Sequence, residues 1–248
     1  MALAALYDVH GNLPALEAVL KEVRSAGVDR ILVGGDVVPG PMPTESLDLL
    51  LGVGIPVHCI HGNGEIAVLA EIDRTDVGVA PEPFRPVVRW VAGELHDSDV
   101  EMIRGWPATL ATELPGLGRV LFCHATPKSA HETFTRETPD QELRRRFAGV
   151  DFPLVVCGHT HMQFDRTVGR TRIVNAGSVG MPFGEPGAYW LLLDGEVRFR
   201  RTEYDLEAAA KAIRATAYPD ADGFAERSVL SPPSEADMLR AFTRSGMD

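Results

Sequence analysis

The chain alternates short apolar runs with stretches whose apolar side chains return every third or fourth residue. Residues 2–7 form a run of the first kind, the pattern of a strand buried on both faces. Leu16, Val19, Leu20 and Val23 then fall at helical spacing, with Pro14 near the start of the helix and Gly27 just past its end. Residues 31–33 predict a second strand, 44–51 a helix and 55–60 a third strand. Strand, helix and strand in this rhythm imply right-handed crossovers and a mostly parallel sheet.

The middle of the chain carries helix-start signals. Ser98 with Glu101, and Thr138 with Gln141, have capping-box spacing, and Pro139 suits the first helical position. Residues 119–123 predict a strand paired with 109–114, and 154–157 a further buried strand. Beyond residue 160 the pattern turns to hairpins. Segments 163–168 and 171–174 flank Gly169-Arg170; 189–193 and 197–201 flank Asp194-Gly195, a two-residue turn signal. The tail from Asp205 reads as helical, broken around 219–223 and at Pro232-Pro233. Residues 73–86, rich in Pro and acids, predict an irregular excursion or lid. There is no internal repeat, low-complexity tract or flexible linker. The crossover half and the hairpin half therefore predict two packed sheets in one domain over 1–248.

Composition narrows the class. A chain of 248 residues buries roughly 70–75% of its unfolded surface, enough to fold without disulfides. No apolar run approaches the ~20 residues of a membrane span. The stretch before Asp8 is too short for a signal-peptide core and lacks a basic leader. Cys59, Cys123 and Cys157 are odd in number without CxxC spacing, which points to a reducing, cytoplasmic compartment and to core packing for all three. With 24 Lys and Arg against 35 Asp and Glu, the net charge of −11 argues against a general nucleic-acid or membrane binder.

Chemistry collects where the strands end. Asp8-x-His10, Gly34-Gly35-Asp36, Gly62-Asn63, Cys123-His124 and Gly158-His159-Thr160-His161 each follow a predicted strand and lie beside glycine or a tight turn. Each segment by itself is common as a turn or cap. Ligands of α/β sheets bind outside the carboxyl ends of strands, so the five segments are able to converge. Together they supply four imidazoles, two carboxylates and one amide.

This set resembles the calcineurin-like metallophosphoesterases, especially their small bacterial and archaeal branch. The matching residues are Asp8-x-His10-Gly11-Asn12, Gly35-Asp36, Gly62-Asn63, His124 and Gly158-His159-x-His161, in that order, within a resemblance running from residue 3 to about 204. It implies an α/β fold, a four-layer α/β/β/α sandwich with two packed mixed sheets. It also implies two metals, the first held by Asp8, His10 and His161, the second by Asn63, His124 and His159, with Asp36 bridging. Two cations roughly 3.5–4 Å apart need such a carboxylate to offset their repulsion. The donor types favour Mn, Fe, Zn, Co or Ni over Ca. The implied reaction is in-line attack on phosphorus by a water that the metals acidify to a pKa of roughly 7, without a covalent enzyme intermediate.

The pattern departs from its relatives at Gly64, where many have a histidine that protonates the leaving group. General acid help is worth roughly 10²–10⁴-fold. His61 and His131 are candidate substitutes, set against plain packing at a strand end and a plain loop position. Asn12 and Gly64 are candidate substrate contacts, with helix capping the alternative for Asn12. Lys128 reads as a phosphate partner or a surface residue, Glu65 as a stabiliser of a helix first turn, and Arg144 to Arg146 as a solvated helix face. The expected function is a dinuclear phosphoesterase acting on a small phosphodiester, phosphomonoester or nucleotide, with a homo-oligomer open. The alternatives are a serine/threonine protein phosphatase and a non-catalytic binding scaffold. A structural metal protein fits poorly, since such sites are closed and tetrahedral.

Overall fold

The computed structural model describes residues 2–75 and 80–245. The opening apolar run is strand β1 (Leu3–Leu6), and the helical stripe is α1 (Leu13–Ser25), which buries Leu16, Val19, Leu20 and Val23. Then come β2 (Arg30–Val33), α2 (Pro43–Leu51), β3 (Val57–Cys59) and α3 (Asn63–Asp73). β3 is shorter than the apolar stretch 55–60 because β2 pairs with it only through Ile31 to Val33. Helices α4 (Arg85–Glu94) and α5 (Asp97–Arg104) follow. The expected excursion at 73–86 is narrower than its composition suggests. α3 reaches Asp73 and a 3-10 turn, Glu82–Phe84, runs into α4; residues 76–79 lie outside the described residues.

The chain continues through β4 (Thr109–Leu114), β5 (Gly118–Cys123), α6 (Asp140–Arg146), β6 (Leu154–Cys157), β7 (Phe164–Val168) and β8 (Thr171–Asn175). It ends with β9 (Ala188–Leu193), β10 (Val197–Thr202), α7 (Leu206–Arg214), α8 (Ala221–Phe224) and α9 (Glu235–Ser245). A π-helical turn at Ala225–Leu230 extends α8, so the tail's first break is shorter than its Pro and Gly content implies. Among the described residues no helix is long and apolar enough to cross a membrane.

Two five-stranded mixed sheets result, ordered β10-β9-β1-β2-β3 and β4-β5-β6-β8-β7. The halves are not divided as the sequence suggests. The last hairpin crosses to the first sheet, where β9 runs antiparallel along β1, while β4, β5 and β6 belong to the second. The alternation of side chains explains the layers. Leu3, Ala5 and Tyr7 face the space between the sheets with Phe122, Val156 and Leu191, whereas Ala4 and Leu6 face α1 with Leu16 and Val19. On the second sheet's far side Leu121 and Val155 pack with Leu143 of α6 and Phe147. The architecture is a four-layer α/β/β/α sandwich.

Three local expectations are displaced. α5 starts at Asp97, and Asp99 rather than Glu101 bonds back, accepting from the His96 N–H at 3.0 Å, because Ser98 already lies in the first turn. α6 starts at Asp140 with Pro139 ahead of it, and the Thr138 hydroxyl accepts from the Thr135 N–H at 2.9 Å instead of capping. Leu193 pairs with Val197, so the β9–β10 turn has three residues, not two.

Candidate metal centre

The carboxyl ends of β1, β2, β5 and β6 meet at one place, and the backbone there is unusual. Asp8, His10, Asp36, His159 and His161 all have φ between +49° and +67°. Among the described residues only Arg74, at the end of α3, is a further non-glycine residue with positive φ. Side-chain-bearing residues in that region cost roughly 1–3 kcal/mol each and persist only where their surroundings enforce them. Here the turns brace one another. The N–H groups of Asp8 and His10 donate to the carbonyls of Gly35 (3.1 Å) and Asp36 (2.8 Å), Gly158 N–H donates to His124, and Gly180 N–H and the Ser178 hydroxyl donate to the Asp8 carbonyl. Gly35 and Gly62 let the β2 and β3 turns touch: a Cβ on Gly35 would lie 2.4 Å from the Gly62 nitrogen.

The side chains converge inside this frame. His10 Nε2 and His161 Nε2 are 3.2 Å apart, and Asp8 Oδ1 lies 3.4 Å from His161 Nε2. Asp36 Oδ2 is 3.7 Å from His10 Nε2 and 3.6 Å from His124 Nε2, so it stands between the two imidazoles. Asn63 Oδ1 is 2.9 Å from His124 Nε2. His159 packs its ring against His124, with centroids 5.1 Å apart, and its N–H donates to Asp8 Oδ2 at 2.9 Å. Asp8 reaches further than expected, its Oδ1 lying 3.8 Å from His124 Nε2 as well.

The outer nitrogens decide what this cluster wants. His10, His161 and His124 each turn Nδ1 to a backbone carbonyl, of Pro39 (3.0 Å), Met181 (2.7 Å) and Gly34 (2.8 Å). A carbonyl only accepts, so Nδ1 carries the proton and each neutral ring points an Nε2 lone pair inward. Lone pairs of His10 and His161 thus oppose each other beside Asp8 Oδ1, a buried oxygen with no hydrogen-bond partner. Orphaned buried acceptors are rare and costly. A cation relieves all three at once. Asp8, His10 and His161 form one group able to hold a metal ion, and Asp8, Asp36 and His124 another.

The same crowding shifts the titrations. Burial would raise the Asp8 carboxyl, but His161, His124 and His10 together hold it well below the usual carboxylate range. Burial, followed by the neighbouring His124, pulls His159 down to about 4. For His161 burial pulls down, yet the charge of Asp8 acts against it and the net direction is up.

The other candidates fall elsewhere. Asn12 is buried; its Oδ1 accepts from the Ala15 N–H and its Nδ2 donates to the Gly180 carbonyl, the capping role. The Gly64 N–H donates to Asp36 Oδ1 at 2.7 Å. A Cβ on Gly64 would lie 2.1 Å from Pro39 Cγ: proline fills the space a larger residue would need. His61 is tied by Nε2 to the Ile103 carbonyl at 2.7 Å. His131 and Lys128 are exposed. Arg146 is no solvated residue: it donates to the Thr133 carbonyl at 2.7 Å and pairs with Glu142. Cys123 and Cys157 are core, but Cys59 is only half-buried.

Some participants escaped the sequence reading. Glu65, expected only to steady a helix start, is fully buried and accepts from the N–H groups of Asp36, Val37, Val38 and Gly62 at 2.7–3.3 Å. Burial and then the charge of Asp36 push its carboxyl up to about 7, against those donors. Thr133 places its hydroxyl 3.4 Å from His159 Nε2. Phe183 stacks on His161, with centroids 5.4 Å apart. Asn175 and Ser178 brace the Gly158 and Asp8 carbonyls, and Asn175-Ala-Gly-Ser178 after β8 repeats the strand-then-polar-and-glycine pattern that marks the other segments.

Residues 1–196 match the family model described as the calcineurin-like phosphoesterase superfamily domain. An uncharacterised protein of Methanocaldococcus jannaschii is 25% identical over 240 residues, covering 88% of this chain and 94% of its own. The crystal structure of a hypothetical protein from Pyrococcus horikoshii superposes with a TM-score of 0.78 at 19% identity, covering 94% of this chain and 99% of its own. That of a metallophosphoesterase from Sphaerobacter thermophilus gives 0.70 at 24%, covering 92% and 98%. Both share the fold.

Proposed function

Because the chain belongs to the calcineurin-like phosphoesterase superfamily, a family of metal-dependent phosphoesterases, we propose that it hydrolyses esters of small phosphate compounds at this cluster, with two divalent transition-metal ions bound. The carrying observation is the buried, unpartnered Asp8 Oδ1 facing the inward nitrogens of His10 and His161. Asp8, His10 and His161 would hold one cation, Asn63, His124 and His159 the other, and Asp36 both. Mn, Fe, Zn, Co and Ni all suit nitrogen with carboxylate, in the reducing cytoplasm that three free thiols favour. When bound, the cations supply Lewis acidity towards phosphate oxygens and acidify water.

The chain's own residues do the rest. The Gly34, Pro39 and Met181 carbonyls fix three imidazole tautomers, and Glu65 with the Gly64 N–H holds the Asp36 turn and its carboxylate in place. Two of the expected positions supply no proton: Gly64 has none to give, and the Nε2 proton of His61 is committed to Ile103. A departing oxygen without help from either favours good leaving groups.

The test combines elemental analysis of the purified protein with a series of aryl and alkyl phosphate esters. About two equivalents of metal and a rate that falls steeply as leaving-group pKa rises are expected. Asp36→Asn should lower the metal content and cut kcat by at least about 10³-fold. Full activity in Asp36→Asn would overturn the bridging role of Asp36; no hydrolysis of any ester with cations supplied would leave the binding-scaffold reading in its place. A flat leaving-group dependence would mean that another acid, such as His131, takes part.

A further inference from the structure

Beside the metal centre lies a cavity of about 240 Å³, lined among others by Thr133, Phe134, Glu137, Glu142, Arg146 and Phe242. Two of its walls lead to the cluster. Thr133 places its hydroxyl 3.4 Å from His159 Nε2. The Phe242 ring of α9 packs 6.1 Å from Phe183, which in turn stacks on His161. The cavity thus touches His159 through Thr133 and His161 through Phe242 and Phe183.

We propose that this cavity takes the organic half of the ester, and that it accepts a flat, uncharged ring. The inference rests on the proposed phosphoesterase reading and deepens it. Charge disfavours the phosphate itself: among the described lining residues the one cation, Arg146, is paired with Glu142, and Glu137 adds a negative group. Size excludes a peptide or a large ligand, since sites that bury drug-sized molecules run to roughly 300–1,000 Å³. What remains is space for a single ring system beside two phenylalanine side chains, Phe134 and Phe242, with threonines at its edge. Aromatic faces favour flat π-systems over alkyl chains of similar area.

The wall made by Phe242 comes from outside the stretch that the family model matches, which ends at residue 196. Its position is fixed by contacts to the rest of the fold. Arg136 pairs with Glu235 at 2.5 Å, and the Gly184 N–H donates to the Pro233 carbonyl at 2.9 Å. These bonds hold the start of α9 against the loops that carry Phe134 and Phe183. Residues common to the family would then carry the reaction, and the helical tail would select the ester.

The experiment compares kcat/KM for bis(p-nitrophenyl) phosphate and methyl p-nitrophenyl phosphate, which share a leaving group and differ in the retained half. In Phe242→Ala the ratio of the first to the second should fall about tenfold, mainly through KM, and Phe242→Tyr should restore it. Binding of phenylphosphonate against methylphosphonate, measured by calorimetry in the cation-loaded protein, should lose its preference in the same variant. A ratio unchanged in Phe242→Ala, with wild-type protein active on both esters, overturns the cavity assignment and leaves the phosphoesterase reading standing. Wild-type protein inactive on both esters overturns the two together. A ratio that falls through kcat alone, with phosphonate preference intact, also overturns it.

Discussion

The two sides of the metal centre use similar donors but are held differently. On the side of Asp8, His10 and His161, both rings are pinned by carbonyls and a buried carboxylate oxygen has no partner. On the other side only His124 is pinned, at Gly34, while His159 leans on the Thr133 hydroxyl at 3.4 Å. Asn63 Oδ1 faces His124 Nε2, and rotating the amide would present an N–H₂ donor instead. The second side thus satisfies itself by turning a neutral amide, whereas the first must take up a proton or a cation. Among the strands only one position differs: Asn63 follows β3, the edge of its sheet, whereas Asp8, His124, His159 and His161 follow β1, β5 and β6, each flanked by two neighbours. The lesson is that a pair of metal positions need not be equally demanding: the first side should hold its cation tightly and the second should exchange it.

The strongest way to break this contrast is to delete one donor from each side. Asn63→Ala should retain close to one equivalent of metal after gel filtration in cation-free buffer. Asp8→Asn should retain far less, its first-site affinity falling by more than the roughly 10–100-fold that loss of an outer partner costs. Elemental analysis reads both. If Asp8→Asn keeps a full equivalent while Asn63→Ala loses everything, the order of the two sides is reversed.

Much of this was legible in the chain. Most strands, and the five polar segments that the turns bring together, follow from apolar runs that end in Asp, Asn or His beside glycine, while the four layers follow from the resemblance to the family. Three kinds of feature were not legible, each for a physical reason. Strand order depends on long-range pairing, so the hairpin of β9 and β10 gives no local sign that it will line β1 rather than its own neighbour β8. Backbone strain depends on bracing from other turns, so the positive φ of Asp8, His10, Asp36, His159 and His161 is invisible in residue types that rarely adopt it. Side chains that reach across turns carry no periodic signal. Glu65 sits where a helix start welcomes an acid, and that ordinary explanation hides its four backbone partners.

Glu65 is also what couples the two sides, since it ties the Asp36 turn to the turn that precedes Asn63. Hydrogen bonds to a charged acceptor are worth roughly 1.5–3 kcal/mol each, and an amide would turn an N–H₂ group towards N–H donors. Glu65→Gln should therefore lower unfolding free energy by about 2–4 kcal/mol, read from urea titration at constant slope. The loosened bridge should weaken metal retention on both sides together. An unchanged midpoint would show that the two turns are positioned independently, and would sharpen the contrast into two separate sites.

The smallest expected effect concerns the thiols behind the ligands. Cys123 and Cys157 lie sealed beneath His124 and His159, and burial pushes both well above the ordinary thiol range. Cys59, on the edge strand that leads to Asn63, is half-buried, and burial followed by the charge of Glu65 pushes it up to about 12. At pH 8 its thiolate is then roughly one part in 10⁴, against about a quarter for an ordinary thiol, so alkylation is slow but not forbidden. Because the raised pKa lies above the working range, the thiolate fraction grows tenfold with each pH unit. Labelling of Cys59 should accordingly keep accelerating from pH 7 to 10 instead of levelling near 8.5, while Cys123 and Cys157 should label only upon global unfolding. Peptide mapping after timed iodoacetamide treatment separates the three. Equal labelling of Cys157 and Cys59 in the folded protein would mean that the central strands beneath His124 and His159 open as readily as the edge strand that leads to Asn63, and the contrast between buried and edge strands would not reach the thiols.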